Sequence, residues 1–230
     1  MTVAAGKQVA LTVQFEDCAG GEIAVKDVVK SSNPTASTAF GTSDQIWRWQ
    51  GTEWKQYFLS QYSSRSGTID GWVTKESAGK DKVTEDTIPA GETFFFVNKG
   101  KNEVTLTLSG AVKPFKSTPS YSVGAGKQVF IGYPWPVKLP IAGFNKYCSS
   151  PTASTAFGTS DQIWRWQGTE WKQYFFSQYS SRSGTIDGWA TKESAGKDKV
   201  TEDQIDVGEG FFFVNKGKNE QTITFTNSVE

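Results

Sequence analysis

Histidine does not occur in this chain of 230 residues. Its absence excludes Ser-His-Asp and Cys-His catalysis, histidine-ligated zinc and a histidine pH switch. Cysteine occurs twice, as Cys18 and Cys148, too few for a structural zinc site. An excess of either charge is also missing: 24 Lys and Arg balance 24 Asp and Glu. A neutral chain without blocks of like charge has no electrostatic footprint for nucleic acid or an anionic membrane. No apolar run approaches the roughly 18 residues of a membrane-spanning helix, so membrane insertion is not expected. The N-terminal "MTVAAGKQVALTVQF" lacks a basic n-region and an apolar h-region, so no signal peptide is expected there.

Aromatic residues and glycine are plentiful instead, with 16 Phe, 9 Trp and 23 Gly against 8 Pro. Together with frequent Thr and short apolar runs, this composition predicts an all-β protein.

The chain also repeats itself. Pro34–Glu103 aligns with Pro151–Glu220 without a gap, at an offset of 117 and with 64 identities in 70 positions. The differences are Leu59/Phe176, Val73/Ala190, Thr87/Gln204, Pro89/Asp206, Ala90/Val207 and Thr93/Gly210. Upstream, "AGKQV" at Ala5–Val9 recurs at Ala125–Val129, and the segments between these anchors have diverged. The expectation is internal duplication into two tandem homologous units, 1–116 and 117–230, each a β-sandwich or barrel. A recent duplication would leave such identity for no functional reason. A working surface displayed twice would also preserve it.

Within one unit the hydrophobic period is two. "KQVALTVQF" alternates Val9, Leu11, Val13 and Phe15, the pattern of a half-buried strand. "QIWRWQGTEWKQYF" reads as a hairpin with Gln50–Gly51 at the turn, which sets Trp49 against Thr52, Arg48 against Glu53 and Trp47 against Trp54. "ETFFFVN" and "EVTLTLSG", joined by "KGKN", read as a second hairpin, with at least one of Phe94, Phe95 and Phe96 facing away from the core. Seven or eight strands per unit are expected, and no segment of adequate length has a helical period.

Signs of chemistry are sparse. "VGAGKQV" has a phosphate-loop flavour, but Gln128 follows the lysine and the leading glycine is misplaced, so a strand-entry turn fits better. No cofactor is expected. Asp44, Glu53, Asp70 and Glu92, with Asp161, Glu170, Asp187 and Glu209, could in principle run glycoside hydrolysis. No spacing singles out a pair, so the expectation is not an enzyme. The acidic loop "ESAGKDKVTED" lacks alternating calcium ligands, and its lysines would repel the ion. The aromatic residues are the leading binding candidates: Trp47, Trp49, Trp54 and Trp72 with Arg48, repeated as Trp164, Trp166, Trp171 and Trp189 with Arg165. Flat indoles beside polar groups stack on sugar rings, while burial in a β core is the competing reading. Cys18 and Cys148 stand one per unit, either free or bridged, with an oxidising compartment favouring the bridge.

The pattern "IWRWQGTEWKQY…GW…AGETFFFVNKG…TLTLSG" resembles repeat domains of bacterial secreted or cell-surface proteins, in which a Trp hairpin precedes a "GEGFFF"-like strand. "VGEGFFFVNKG" of the second copy matches better than the first, where Thr93 replaces glycine. The resemblance implies an extracellular β module and no site residues, since that family has no established activity. The resulting expectation is a non-enzymatic structural or adhesive module, extracellular or at the cell surface, with a duplicated contact surface. Its partners would be itself or other surface proteins. Carbohydrate binding through Trp and Tyr faces is the alternative, and a carboxylate-dependent glycosidase comes third.

Overall fold

A computed structural model describes residues 1–15, 21–64, 67–77, 83–110, 119–181, 184–194 and 200–226. The chain divides into two compact units, Met1–Lys113 and Pro114–Glu230. The first holds β1 (Thr2–Val3), β2 (Gln8–Thr12), β3 (Ile23–Ala24), the one-turn helix α1 (Val25–Val28) and β4 (Lys30–Ser31). It continues with β5 (Gln45–Trp49), β6 (Trp54–Ser64), β7 (Gly67–Thr74), β8 (Thr87–Ile88), β9 (Thr93–Val97) and β10 (Val104–Thr107). The second holds β11 (Ser120–Val123), β12 (Gln128–Gly132), β13 (Leu139–Pro140), β14 (Gln162–Trp166) and β15 (Trp171–Ser181). It ends with β16 (Gly184–Thr191), β17 (Gln204–Ile205), β18 (Gly210–Val214) and β19 (Gln221–Thr224). The protein is therefore mostly β, with more and shorter strands than the periodicity suggested. Residues of two-residue strands are too few to carry a period.

Each unit is built on one five-stranded antiparallel sheet, ordered β2-β9-β5-β6-β7 in the first and β12-β18-β14-β15-β16 in the second. Among the described residues no sheet closes on itself. One face of the first sheet presents Leu11, Phe94, Phe96, Ile46, Tyr57 and Trp72 to the core. The small sheets β1-β10-β4 and β3-β8 cover it with Val3, Val104, Leu106, Ile23 and Ile88. Phe95, between Phe94 and Phe96, turns to the opposite face and packs on Trp54 with ring centroids 5.6 Å apart. The alternation of the pleat thus explains the three-phenylalanine run.

The segments that differ between the units pack different side chains against their respective cores. In the first unit α1 and its flank supply Val25, Val28 and Val29. In the second a 3-10 helix, Ile141–Tyr147, supplies Phe144 and Tyr147. Phe144 stands edge-on to Trp189 and to Phe211, each at 5.6 Å. Leu59/Phe176 follows the same trend, since Phe176 packs 5.5 Å from Trp189.

Two expected hairpins are corrected. The Trp hairpin pairs Trp49 with Trp54, Arg48 with Lys55 and Trp47 with Gln56. Gly51, at φ +86°, occupies the first central position of the turn, with Gln50 N–H bonded to the Glu53 carbonyl at 2.9 Å. A II′ hairpin places glycine there, not second, and moving the turn by one residue shifts the register by two residues on the far strand, so each side chain keeps its face. The second expected hairpin does not form: β9 pairs with β2 and β5, while β10 pairs with β1 and β4. Asn98, fully buried, takes up the turn backbone instead. Its Nδ2 donates to the Val3 and Asn102 carbonyls at 3.0 and 2.9 Å, and its Oδ1 accepts from Gly100 N–H at 2.8 Å. With those groups satisfied by a side chain, the strand crosses to the other sheet.

Candidate functional site

The indoles separate by face. Trp72 and Trp189 are core residues at 6% and 0% exposure. Trp47, Trp49 and Trp54 share the opposite face and are half-buried. Trp49 and Trp54 meet at 5.1 Å and 61°, Trp47 and Trp54 at 6.3 Å and 56°. Trp164, Trp166 and Trp171 repeat this at 6.4 Å and 57°, then 5.1 Å and 65°. Trp47 Nε1 donates to Gln45 Oε1 at 2.8 Å, and Gln45 Nε2 donates to the Phe40 carbonyl at 2.6 Å. The rings therefore interlock edge to face, an arrangement aromatic pairs prefer. They do not form a coplanar platform.

Arg48 and Arg165 do not join the indoles, because alternation sends them to the core face. Arg48 grips Glu92 through Nε–Oε1 at 2.5 Å and Nη2–Oε2 at 2.7 Å, and donates to the Thr87 carbonyl at 2.8 Å. Arg165 holds Glu209 at 2.8 and 2.6 Å. The fork geometry of both pairs is the strong, orientation-specific form of this interaction. Arg48 Nη1 also reaches Tyr57 OH at 3.3 Å, Tyr57 OH donates to Asp86 Oδ2 at 3.0 Å, and Lys55 Nζ lies 2.7 Å from the same oxygen. Tyr174, Asp203 and Lys172 repeat the outer part, at 2.9 and 2.7 Å. Burial is the largest influence on the Asp86 and Asp203 carboxyls and pushes them up, yet the Lys and Tyr hydrogen bonds outweigh it and hold both below the usual carboxylate range. Arg48 and Lys55, opposed directly across the ladder, would repel. Glu92 and Asp86 supply the compensating charge from neighbouring segments.

The sequence-derived carboxylates are thereby accounted for. Glu92 and Glu209 hold arginines. Asp44 is 1% exposed, and its carboxylate accepts from Thr35 N–H and Lys99 N–H at 2.9 Å each. Asp161 does the same with Thr152 and Lys216 at 2.8 Å. Each aspartate ties the loop before the Trp strand to the turn where the chain changes sheet. Glu53 and Asp70 are exposed, one at a hairpin tip and the other on the edge strand β7. The Phe94–Phe96 strand lies inside its sheet between β2 and β5, so it has no edge to offer a partner.

A feature that the sequence reading passed over is a polar cavity of about 300 Å³ lined by Lys55, Thr74, Ser77, Val83, Thr84, Glu85 and Asp86. Its counterpart, about 280 Å³, is lined by Lys172, Thr191, Ser194, Val200, Thr201, Glu202 and Asp203, the same seven residue types 117 positions on. Its wall depends on a glycine: a Cβ at Gly71 would meet Val83 at 3.1 Å, and one at Gly188 would meet Val200 at 2.7 Å. Thr84 N–H donates to the Trp72 carbonyl at 2.8 Å, which pins the segment on β7. Thr74 Oγ1 donates to Ser77 Oγ at 2.8 Å at the opposite side. The acidic loop of the sequence contributes Val83–Asp86 here, and its residues 78–82 lie outside the described residues.

Cys148 carries a free, half-buried thiol. Its Sγ lies 3.9 Å from the Phe144 carbonyl, and burial pushes its ionisation well up. Its expected partner, Cys18, lies outside the described residues. No described group of three or more Cys, Asp and Glu residues could hold a metal ion, and among the described residues no helix is long and apolar enough to cross a membrane. Fold and site together define a mostly β protein in which a polar cavity and an interlocked indole cluster recur in each unit among the described residues. Compared with family models, curated proteins and solved structures, the chain matches none.

Proposed function

We propose that this protein is a non-enzymatic contact module, working outside the cell or at its surface, made of two β-sandwich units that arose by internal duplication. Each unit presents the same surface to a partner. One observation supports this reading above the others. Between Pro34 and Asp86 only two positions differ from the second copy, Leu59/Phe176 and Val73/Ala190. Neither is an exposed position: Leu59 is half-buried and Phe176 7% exposed on the core face, while Val73 and Ala190 are 1% and 2% exposed on the opposite face. Every exposed side chain in that span is unchanged, including the hairpin tip Gln50–Glu53 and the turn at Lys75 and Glu76. The exposed changes in the aligned copies, Thr87/Gln204, Pro89/Asp206 and Ala90/Val207, are confined to one short segment, whereas drift without selection would spread over exposed positions, which tolerate change best. The interlocked, tilted indoles give no support to a flat sugar platform. The resemblance to secreted repeat domains agrees with this reading and rests on the sequence pattern alone.

The test uses the full chain. Charge reversal at one hairpin tip, Glu53→Lys, or at the other, Glu170→Lys, is compared with reversal at both. Binding to immobilised polysaccharide and to immobilised copies of the chain is followed by its dissociation rate. Two-handed contact predicts that either single change speeds dissociation by more than tenfold, in line with the gain from linked sites. Single variants that keep the wild-type dissociation rate would show that the copies act one at a time.

A further inference from the structure

The polar cavity recurs in both units with the same seven residue types. We infer that each cavity takes one ring of a neutral glycan, gripped through its hydroxyl groups by Lys55 and Asp86 in the first unit and by Lys172 and Asp203 in the second. This deepens the contact-module reading by naming a partner class, and it moves the sugar away from the indoles.

Size comes first. At about 300 Å³ and 280 Å³ the cavities stand at the small end of ligand sites, the range of a single ring. Lining chemistry comes next. Among the described residues, three hydroxyls, from Thr74, Ser77 and Thr84, stand with one ammonium and two carboxylates, Glu85 and Asp86. An anion would face two carboxylates against one lysine. A metal ion would face the Lys55 ammonium, which sits 2.7 Å from the best-placed carboxylate oxygen. An apolar ligand would strip water from every one of these groups without replacing their hydrogen bonds. A neutral polyol meets all of them, since each hydroxyl both donates and accepts.

The grip is preorganised. Lys55 Nζ and Tyr57 OH both hold Asp86 Oδ2, and the Thr84 side chain also bonds the carboxylate; with about four lone-pair sites on its two oxygens, the carboxylate can still accept from a ligand hydroxyl. A lysine ammonium has three N–H donors; Asp86 and Tyr57 take two of them, and the third serves a ligand. The ammonium and the carboxylate therefore form a donor–acceptor pair against which two adjacent ring hydroxyls fit. Behind them Arg48 and Glu92 fix Tyr57, so the pair is positioned before a ligand arrives, which reduces the ordering cost of binding. The same outer contacts recur at Tyr174, Asp203 and Lys172.

The experiment titrates the isotope-labelled full chain with methyl glycosides of glucose, galactose, mannose and N-acetylglucosamine at millimolar concentration. Saturable amide shifts are expected at Thr74–Ser77 and Val83–Asp86 and at their counterparts 117 residues on, with two sites per chain. Filling both cavities by Ser77→Phe with Ser194→Phe should weaken binding about tenfold or more while the melting temperature holds. Lys55→Met with Lys172→Met should do the same, which guards against a filling variant that fails to fold. Trp49→Ala with Trp166→Ala should leave the shifts in place. The inference is overturned if no glycoside gives saturable shifts at these amides. It is equally overturned if the Trp variant abolishes binding and the cavity variants do not. A glycoside-negative chain that still shows two-handed dissociation from its own immobilised copies would sink the glycan and leave the contact module standing.

Discussion

Gly71 and Gly188 show how much one missing methyl group carries. Neither needs a left-handed backbone; each is a glycine because a valine from a distant segment lies on it. With Cβ contacts of 3.1 Å to Val83 and 2.7 Å to Val200, alanine forces the wall of the cavity outward. Gly71→Ala and Gly188→Ala are expected to lose about 1–3 kcal/mol each, the usual cost of overpacking. The second should lose more, and urea denaturation of the two variants gives the order. Asp44 is the complementary case, a buried carboxylate that serves only backbone donors. Asp44→Asn keeps the shape but replaces an acceptor oxygen by an NH2 group that confronts a backbone N–H. A loss of about 1–3 kcal/mol is expected, as for any buried donor left unmatched. Full retention of stability would show that the loop and the turn hold together without it.

At the scale of elements, the Arg48–Glu92 fork ties β5 to the start of β9, and its arginine also reaches the Thr87 carbonyl on β8. The side chains are only 12% and 23% exposed, so removing one partner leaves a charge largely out of water. Arg48→Met should cost about 3 kcal/mol, the lower end for a buried pair, because Glu92 keeps some solvent. The double change Arg48→Met with Glu92→Leu should recover part of that loss, and a double-mutant cycle measures how much. A double variant as unstable as the sum of the singles would mean that the two side chains act separately. Much at this scale was legible in the sequence. The all-β class, the strands around Val9, Trp47, Tyr57 and Phe95, and the outward Phe95 follow from alternation. What was not legible depended on single residues or on partners far along the chain. The hairpin register turned on which turn position Gly51 takes. The crossing of the chain between sheets turned on Asn98, whose bond to Val3 spans 95 residues. The cavity was illegible because Val83, Gly71 and Lys55 meet only in three dimensions, and because lysine, threonine and acidic residues in a loop look like a solvated surface. Alternation places Arg48 on the face opposite Trp47 and Trp49, so its nearness in sequence does not bring it to the indoles as a hydrogen-bonding partner for a ligand.

At the scale of the whole molecule, the absence of histidine returns as a statement about stability. No side chain of ordinary pKa titrates between about pH 5 and 8, so any slope of stability there comes from groups that the fold shifts. On the acid side, Asp86 and Asp203 are held low by their lysine and tyrosine hydrogen bonds. Their contribution is present above the ordinary carboxylate value and is lost as pH falls through the lowered one. Asp44 and Asp161 run the other way. Burial raises them, so their contribution is present at low pH and is lost as pH rises through the raised value. The two pairs oppose each other, so their effects on the acid limb partly cancel. On the alkaline side every described shift has one sign. Burial raises the Cys148 thiol, Tyr57 and Tyr174, and the Asp86 hydrogen bond raises Lys55. A raised group contributes stability that is complete below its unfolded value and disappears as pH climbs through its folded one. Cysteine has the lowest unfolded value of the four, about 8.5. The alkaline limb of the reduced protein should therefore begin with Cys148, near pH 8–9, and steepen near pH 10 where tyrosine and lysine join. Melting temperatures of wild type and Cys148→Ala, taken under reducing conditions from pH 3 to pH 11, separate these contributions. The variant should start lower, having lost packing around Phe144, and should then hold its plateau about a pH unit further before falling with the tyrosines. Parallel curves through pH 9 would show that the thiol's burial does not reach the folding equilibrium, and the alkaline limb would then belong to the Asp86 and Asp203 clusters alone.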